Sequence, residues 1–237
     1  MAKRTGQQPR ADLSRERIVN EALALIDESG LPALSMRSLA NRLGVYPTAL
    51  YWYVDTRSSL LAAVVELVLG NVLPQEDGPD VPWQDWTMAL MRSYRAAIMR
   101  HPNVAPLLGA DLTSNPGVDM TVVESLLAHL EAAGFHDDDL LHAYNSIMAG
   151  MIGFVTLELA AAPTDDERWA ETLKERYRAA DIERFPTIRR WAALIENRAF
   201  VVRWHNGATA PMDDAFEHFA SALLHGLEAG LHAGAKR

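Results

Sequence analysis

Apolar residues recur along this chain at intervals of three and four, and the rhythm is broken at glycines, prolines and short polar runs. That spacing predicts helices throughout. Ser14 precedes a first helix reaching about Ser29, with Ile18, Ala22, Leu25 and Ile26 on one stripe and Gly30 as its stop. Ser35 caps a second, whose face is Leu39, Ala40 and Leu43 and which ends at Gly44. Pro47 suits the opening turn of a third, from which Leu50 and Val54 face the second. A polar corner at Asp55, Thr56 and Arg57 follows, with Asp55 or Ser58 as cap. Leu60, Leu61, Val64, Val65 and Val68 then carry a fourth helix to about Leu73.

Residues 74–82 interrupt the pattern with three prolines and a glycine. Trp86, Leu90, Tyr94, Ala97 and Ile98 predict a helix from Trp83 to about Met99, ended by Pro102. A short helical turn over 103–109 and a polar turn over 111–117 lead to a helix from Met120 to Ala133, with Val123, Leu126, Leu127 and Leu130 inward and Gly134 as its stop. Asp137 to Asp139 open the next helix, where carboxylates complement the positive end of the dipole, a better use for them than a metal site with His136.

Two later series are richer in apolar area. Leu140 to Leu159 mixes Leu141, Tyr144, Ile147, Met148, Met151 and Ile152 with the small Ser146, Ala149, Gly150 and Gly153; Phe216 to Leu231 carries Phe219, Ala220, Leu223, Leu224 and Leu227. Together they suit a helical interface between two copies, through Ala149, Ile152, Gly153, Phe216, Phe219, Leu223 and Leu227; spacing alone serves the interior of one copy equally well. Between them the pattern is weaker. A polar helix from Pro163 and the DDER run, a faintly amphipathic stretch over 176–181, and a helix after Pro186 to about Arg203 are expected.

The stretch from Ser35 to Leu61 also suggests function. Helix, glycine-containing turn and second helix make the helix-turn-helix unit, whose second helix fits a DNA major groove, although an ordinary helical hairpin has the same spacing. Charge adds modest support. The 237 residues carry a formal −9, but residues 1–60 hold eight Lys or Arg against six Asp or Glu, while 61–237 hold fourteen against twenty-five. A mildly basic N-terminal part on an acidic body is compatible with a local phosphate-facing surface. Lys3, Arg4 and Arg10 form a basic arm that can lie along DNA or stay disordered. The 49% hydrophobic content argues for a folded chain, and the lack of cysteine excludes disulfides, thiolate metal sites and cysteine nucleophiles. With no signal-like start, a soluble cytoplasmic protein is expected.

Residues 14–61 closely resemble the N-terminal domain of the tetracycline-repressor, or TetR, family of bacterial transcriptional regulators. The resemblance rests on the first helix ending in Gly30, the LSMRSLANRLGV and LYWYV blocks, and the Arg57 to Leu61 entry into the fourth helix. It implies an all-α protein divided into an arm and three-helix DNA-binding domain over 1–60 and an effector-binding and dimerisation domain over 61–237. It further implies a homodimeric repressor that reads a palindromic operator and is released by a small molecule. Carried onto matching positions, Arg37 is a base or phosphate contact, and Tyr46, Pro47, Thr48 and Ala49 form the tip of the recognition helix. Trp52 lies along its flank, and Tyr51 and Arg57 are set against phosphates. The YPTA tip has fewer hydrogen-bonding groups than that of the tetracycline repressors, so a different operator is implied.

The same resemblance places an effector among the middle helices. Its lining would be drawn from Trp86, Leu90, Tyr94, Leu107, Leu108, Leu126, Tyr144, Met148, Met151 and Phe154, with His101, His142, Asn145 or His205 as polar anchors, which suits a hydrophobic or aromatic compound. Each of these residues would serve equally in an ordinary core. Where tetracycline repressors place a metal-ligating histidine, the matching residue is Leu107, and Glu158 alone does not make a magnesium-chelate site. No cofactor or metal is expected. The eight histidines are scattered and no phosphate loop or nucleophile elbow accompanies them, so an enzyme is not expected. The competing readings are a helical interaction protein without specific DNA binding and, behind it, a small-molecule hydrolase.

Overall fold

A computed structural model describes residues 13–75, 81–108, 120–163, 168–179, 183–200 and 202–234. The arm through residue 12, the turn over 111–117 and the DDER run through residue 167 lie outside these. Among the described residues the chain is helical, with a single isolated bridge between Ala199 and Val202.

The head begins with α1, Arg15–Ser29, where the Ser14 hydroxyl accepts from the Arg17 N–H at 3.1 Å. A 3-10 turn, Leu31–Ala33, leads to α2, Met36–Leu43. Ser35 and Ser38 cap it reciprocally: the Ser38 N–H donates to Ser35 Oγ and the Ser35 N–H to Ser38 Oγ. Gly44 then takes φ 69° and ψ 29°, the left-handed region that a side chain disfavours, and the Val45 N–H reaches back to the Ala40 carbonyl. The third helix, α3, is one turn, Pro47–Leu50. The Tyr53 and Val54 N–H groups both bond the Leu50 carbonyl and continue it as a turn, so the expected helix to Val54 is shorter than its spacing suggests. So short a helix has no stability of its own. Leu50 and Val54, buried beside Leu39 and Leu43, hold it in place.

The next helix, α4, spans Arg57–Leu69 and is capped by Thr56 with Ser59, not by Asp55 or Ser58. The helix starts one residue later than a cap at Asp55 would require, and Thr56 and Ser59 exchange bonds there: the Ser59 N–H donates to Thr56 Oγ1 and the Thr56 N–H to Ser59 Oγ, each at 3.0 Å. It also stops short of Leu73, and the Val72 N–H closes a turn onto Leu69. Leu60, Leu61, Val64, Val65 and Val68 are buried, so one continuous core runs from Ile18, Leu39 and Leu50 in the head to Trp86, Ile98 and Ile147 in the body.

In the body, α5, Trp83–Arg100, packs on α4, α6, α7 and α10. The 3-10 segment Pro102–Leu107 turns the chain back toward the head; α6 is Met120–Ala132 and α7 is Asp137–Glu158. Gly134 supplies the stop before α7, at φ 101°. Two short helices follow, α8, Trp169–Arg178, and α9, Pro186–Ile195, before the long α10, Asp213–Gly234. The helix expected to reach Arg203 therefore ends eight residues early. Asn197, at φ 54°, turns the chain, and its side-chain carbonyl accepts the N–H groups of Trp204 and His205. By length and composition α7 could cross a membrane; here Ile147, Met151, Phe154 and Val155 place one of its faces in the core.

Candidate functional site

Helix α2 and the turn after it present α3 with its outer side bare. Tyr46 is 81% exposed and Trp52 88%, and Thr48, Tyr51 and Tyr53 are exposed beside them, while Pro47 and Ala49 are half-buried. Tyr46 and Trp52, left this open on either side of a one-turn helix, add little to the head's own packing. Tyr53 was not among the contact residues expected from the sequence, though it stands in the same block.

The cations of the head are not equivalent. Arg42 donates twice to Glu28, at 2.6 and 2.7 Å, and through Nε to Glu21 at 2.7 Å, which fastens α2 to α1. Those two carboxylates hold its guanidinium more firmly protonated, and Arg42 in turn holds the Glu28 carboxyl below its ordinary range. Its charge is satisfied. Arg37, exposed at the start of α2, has no ion-pair partner among the described residues. Arg57, exposed at the start of α4, is steadied by a 3.4 Å contact from Nε to the Leu34 carbonyl just ahead of α2. That contact sets the N-termini of α2 and α4 side by side. Two available guanidiniums thus accompany the exposed aromatic tip, and the segment can meet an anionic surface with polar and apolar groups at once.

The residues expected around an effector are partly gathered. Trp86, Leu90, Tyr94, Leu107, Leu108, Leu126, Met151 and Phe154 are buried in the core of the body, and Tyr144 and Met148 are half-buried beside it. Burial pushes the Tyr94 and Tyr144 phenols up. Trp86 lies flat on His129, with centroids 4.0 Å apart and planes at 15°, yet its indole N–H is buried without a hydrogen-bond partner, as is the Thr87 hydroxyl next to it. Such orphaned groups are uncommon in a finished core.

The proposed polar anchors fall elsewhere. His142 and Asn145 are exposed on α7, and His205 is exposed in the loop before α10. His101, at the C-terminus of α5, contacts Asp27 of α1 at 2.8 Å through Nδ1. Beside it the Asn103 amide donates to the Ile26 and Asp27 carbonyls at 3.0 and 3.1 Å, so the body caps the end of the first helix of the head. Separations of 74 residues and more hid these bonds from any local pattern.

Glu158 is fully buried, and its carboxylate is engaged on both oxygens. Arg95 donates to it at 2.8 and 2.7 Å and the Met212 N–H at 2.8 Å, while Arg95 also reaches Asp213 at 2.8 Å and covers the Phe216 ring. The cluster ties α5, α7 and α10 together, and both Glu158 oxygens are taken up within it. Of the residues expected at a dimer face, Phe216 is likewise buried within one chain, against Phe154. Phe219, Leu223, Leu227 and Ile152 are half-buried, Ala149 is exposed, and the two glycines of α7 divide. A Cβ at Gly150 would stand 2.7 Å from the Phe219 ring, whereas one at Gly153 would meet open space.

Comparison with known proteins agrees with both halves. Residues 18–64 match the family model described as bacterial regulatory proteins, tetR family, and residues 73–231 match the tetracyclin repressor-like C-terminal domain. An HTH-type transcriptional regulator of Saccharopolyspora erythraea is 34% identical over 172 residues, 72% of each chain. The class C tetracycline repressor protein of Escherichia coli is 29% identical over 162 residues, 68% of this chain and 73% of its own. Among solved structures, apo ActR of Streptomyces coelicolor superposes with a TM-score of 0.69 at 25% identity, covering 93% of this chain and 99% of that one; ActR has also been solved in complex with actinorhodin. With a helix-turn-helix head and a helical body both matched, the chain belongs to the tetR family of bacterial regulatory proteins, which are ligand-responsive regulators of transcription.

Proposed function

We propose that this protein is a homodimeric repressor that binds a palindromic operator and releases it when a small hydrophobic or aromatic effector enters the body. The observation that carries the reading is the bare tip of the head: Tyr46, Thr48, Tyr51 and Trp52 are exposed between Arg37 and Arg57, with no role in the core. Residues 1–60 act as the DNA-reading unit and 61–237 as the effector-binding and dimerising unit. Arg37 and the 46–49 tip reach bases, and Tyr51, Trp52 and Arg57 contact the backbone. Small residues on the outer side of α7, with half-buried Phe219, Leu223 and Leu227 of α10, support the pairing of two copies. The protein acts in the cytoplasm, where its operator is accessible.

The effector site lies among Trp86, Leu90, Tyr94, Leu126, Tyr144, Met148, Met151 and Phe154. Trp86 supports this reading most, because its buried, unbonded indole N–H can donate to an acceptor atom on the ligand. Relatives point the same way: ActR has been crystallised with actinorhodin, and others are named tetracycline repressors. The Asn103 and His101 bonds to α1 give the body a physical hold on the head, so that a ligand favouring one arrangement of the body shifts the population of head positions. Titration of an operator complex with aromatic polyketides and other planar hydrophobes tests this. Release of DNA by at least one class, with tryptophan fluorescence quenched in step and that quenching reduced in Trp86→Phe, is expected; binding of such compounds without any change in operator affinity would contradict it.

A further inference from the structure

Helices α5 and α10 pack side by side, and a cavity of about 620 Å³ opens in the seam between them. That volume is enough for a small molecule. No residue assigned to DNA, to the effector or to the second copy lines it. Phe219 and Leu223, partly open on α10, turn toward Gly150 of α7, whereas Ser221, Leu224, His225 and Glu228 turn toward α5.

The polar groups around the cavity are held in place and keep acceptors to spare. On the α10 wall, one Glu228 oxygen accepts from the Gln84 amide at 2.8 Å, which fixes the carboxylate, and the other oxygen has no partner among the described residues. His225 stands 2.7 Å through Nδ1 from the Ser221 carbonyl. A carbonyl only accepts, so Nδ1 carries a proton and, in the neutral ring, Nε2 keeps its lone pair. On the α5 wall, Asp85 has no hydrogen bond or ion pair among the described residues and lies near enough to Arg92 only for its charge to be felt. Arg92 itself, at the rim, gives its bonds to Glu217. Two carboxylates on opposite walls are therefore left uncompensated. Met88 and Leu224 supply an apolar floor.

We propose that this seam is a second small-molecule site and that its ligand is an aliphatic diamine or polyamine cation. One ammonium group of such a chain donates to Asp85, another to Glu228 and His225 Nε2, and the methylenes between them lie on Met88 and Leu224. A metal ion suits the seam less, because no three His, Asp or Glu side chains among the described residues stand close enough together to hold one. An anion meets two carboxylates, and an uncharged apolar compound leaves both of them unpaired against it. The site does not depend on the effector reading. It shares α5 with it, however: Trp86, Leu90 and Tyr94 are buried on the other side of that helix. A bound chain braces α5 against α10.

Isothermal titration of the full chain with diaminobutane, at about 0.15 M salt and without DNA, tests the assignment. The dissociation constant should rise about tenfold in Asp85→Asn and in Glu228→Gln, as loss of a charge-assisted hydrogen bond requires. Butylamine, with one ammonium group, should bind the wild type about tenfold more weakly than the diamine. Circular dichroism verifies that both variants keep wild-type helix content. In wild-type protein carrying methyl-labelled methionine, the Met88 resonance, assigned with Met88→Leu, should shift with the same midpoint, a readout that needs neither charge variant to fold. No heat and no Met88 shift up to about 10 mM diamine overturns the site. An affinity unchanged in either variant also overturns it. So does a Met88 shift matched by butylamine or magnesium chloride at equal concentration, which leaves an adventitious ion only.

Discussion

Arg37, Arg42 and Arg57 lie within one small head, and their surroundings divide their roles. Arg42 is consumed by Glu21 and Glu28, so its charge serves the α1–α2 contact; Arg37 and Arg57 remain available. Arg57→Ala should weaken operator and unrelated DNA alike and lower the slope of log affinity against log salt by about 0.9, the share of one phosphate contact. Filter binding over a salt series measures this, and an unaltered slope excludes the role. Arg37→Ala should instead cost about 1–3 kcal/mol at a single base position while leaving non-specific binding nearly intact, as a base contact does. In the body the deciding quantity is burial. The Arg95–Glu158 pair has side chains only 12% and 0% exposed, while Arg92–Glu217 is 56% and 44% exposed. Glu158→Ala should therefore destabilise by about 3 kcal/mol, because a largely buried guanidinium loses two charge-assisted bonds and keeps only Asp213, while the Met212 N–H loses its acceptor. Arg92→Ala should cost under about 1 kcal/mol. Urea unfolding of the two variants separates them, and equal losses would show that the burial argument fails.

Among the elements, those closed by local chemistry were legible in the sequence. Ser14 and Ser35 cap where the hydroxyls stand, and Gly30 and Gly44 stop α1 and α2 because the backbone there turns to positive φ. Gly44→Ala should destabilise the head by about 1–2 kcal/mol through the left-handed conformation alone, since a Cβ there would touch nothing. Differential exchange of head amides measures it. Elements closed by distant partners were not legible. The helix after Pro186 ended at Ile195, short of Arg203, where Asn197 turns the chain and takes its partners from Trp204 and His205. The stripe from Phe216 to Leu231 reads as one face, yet Phe216, Ala220 and Leu224 are spent inside the chain and Phe219, Leu223 and Leu227 stay partly open. Period alone carries no information about which copy fills a groove. The contact of His101 with Asp27, 74 residues earlier, and the exposure of Tyr53 beside the tip were likewise beyond the spacing.

At the scale of the molecule, one core joins head and body, and the polar bonds of His101 and Asn103 add a second tie between them. A head held at two places can follow the body as a rigid piece, which is what control of operator spacing requires in a dimer. The net −9 does not oppose DNA binding, because the negative charge is concentrated away from the head. The central claim is that two such heads read two related half-sites. Selection of bound fragments from genomic DNA by the purified dimer, followed by footprinting, tests it most directly. Protection of an inverted repeat, its half-sites spaced by roughly one or more helical turns, is the predicted result; an active dimer that protects no sequence in preference to any other would contradict it.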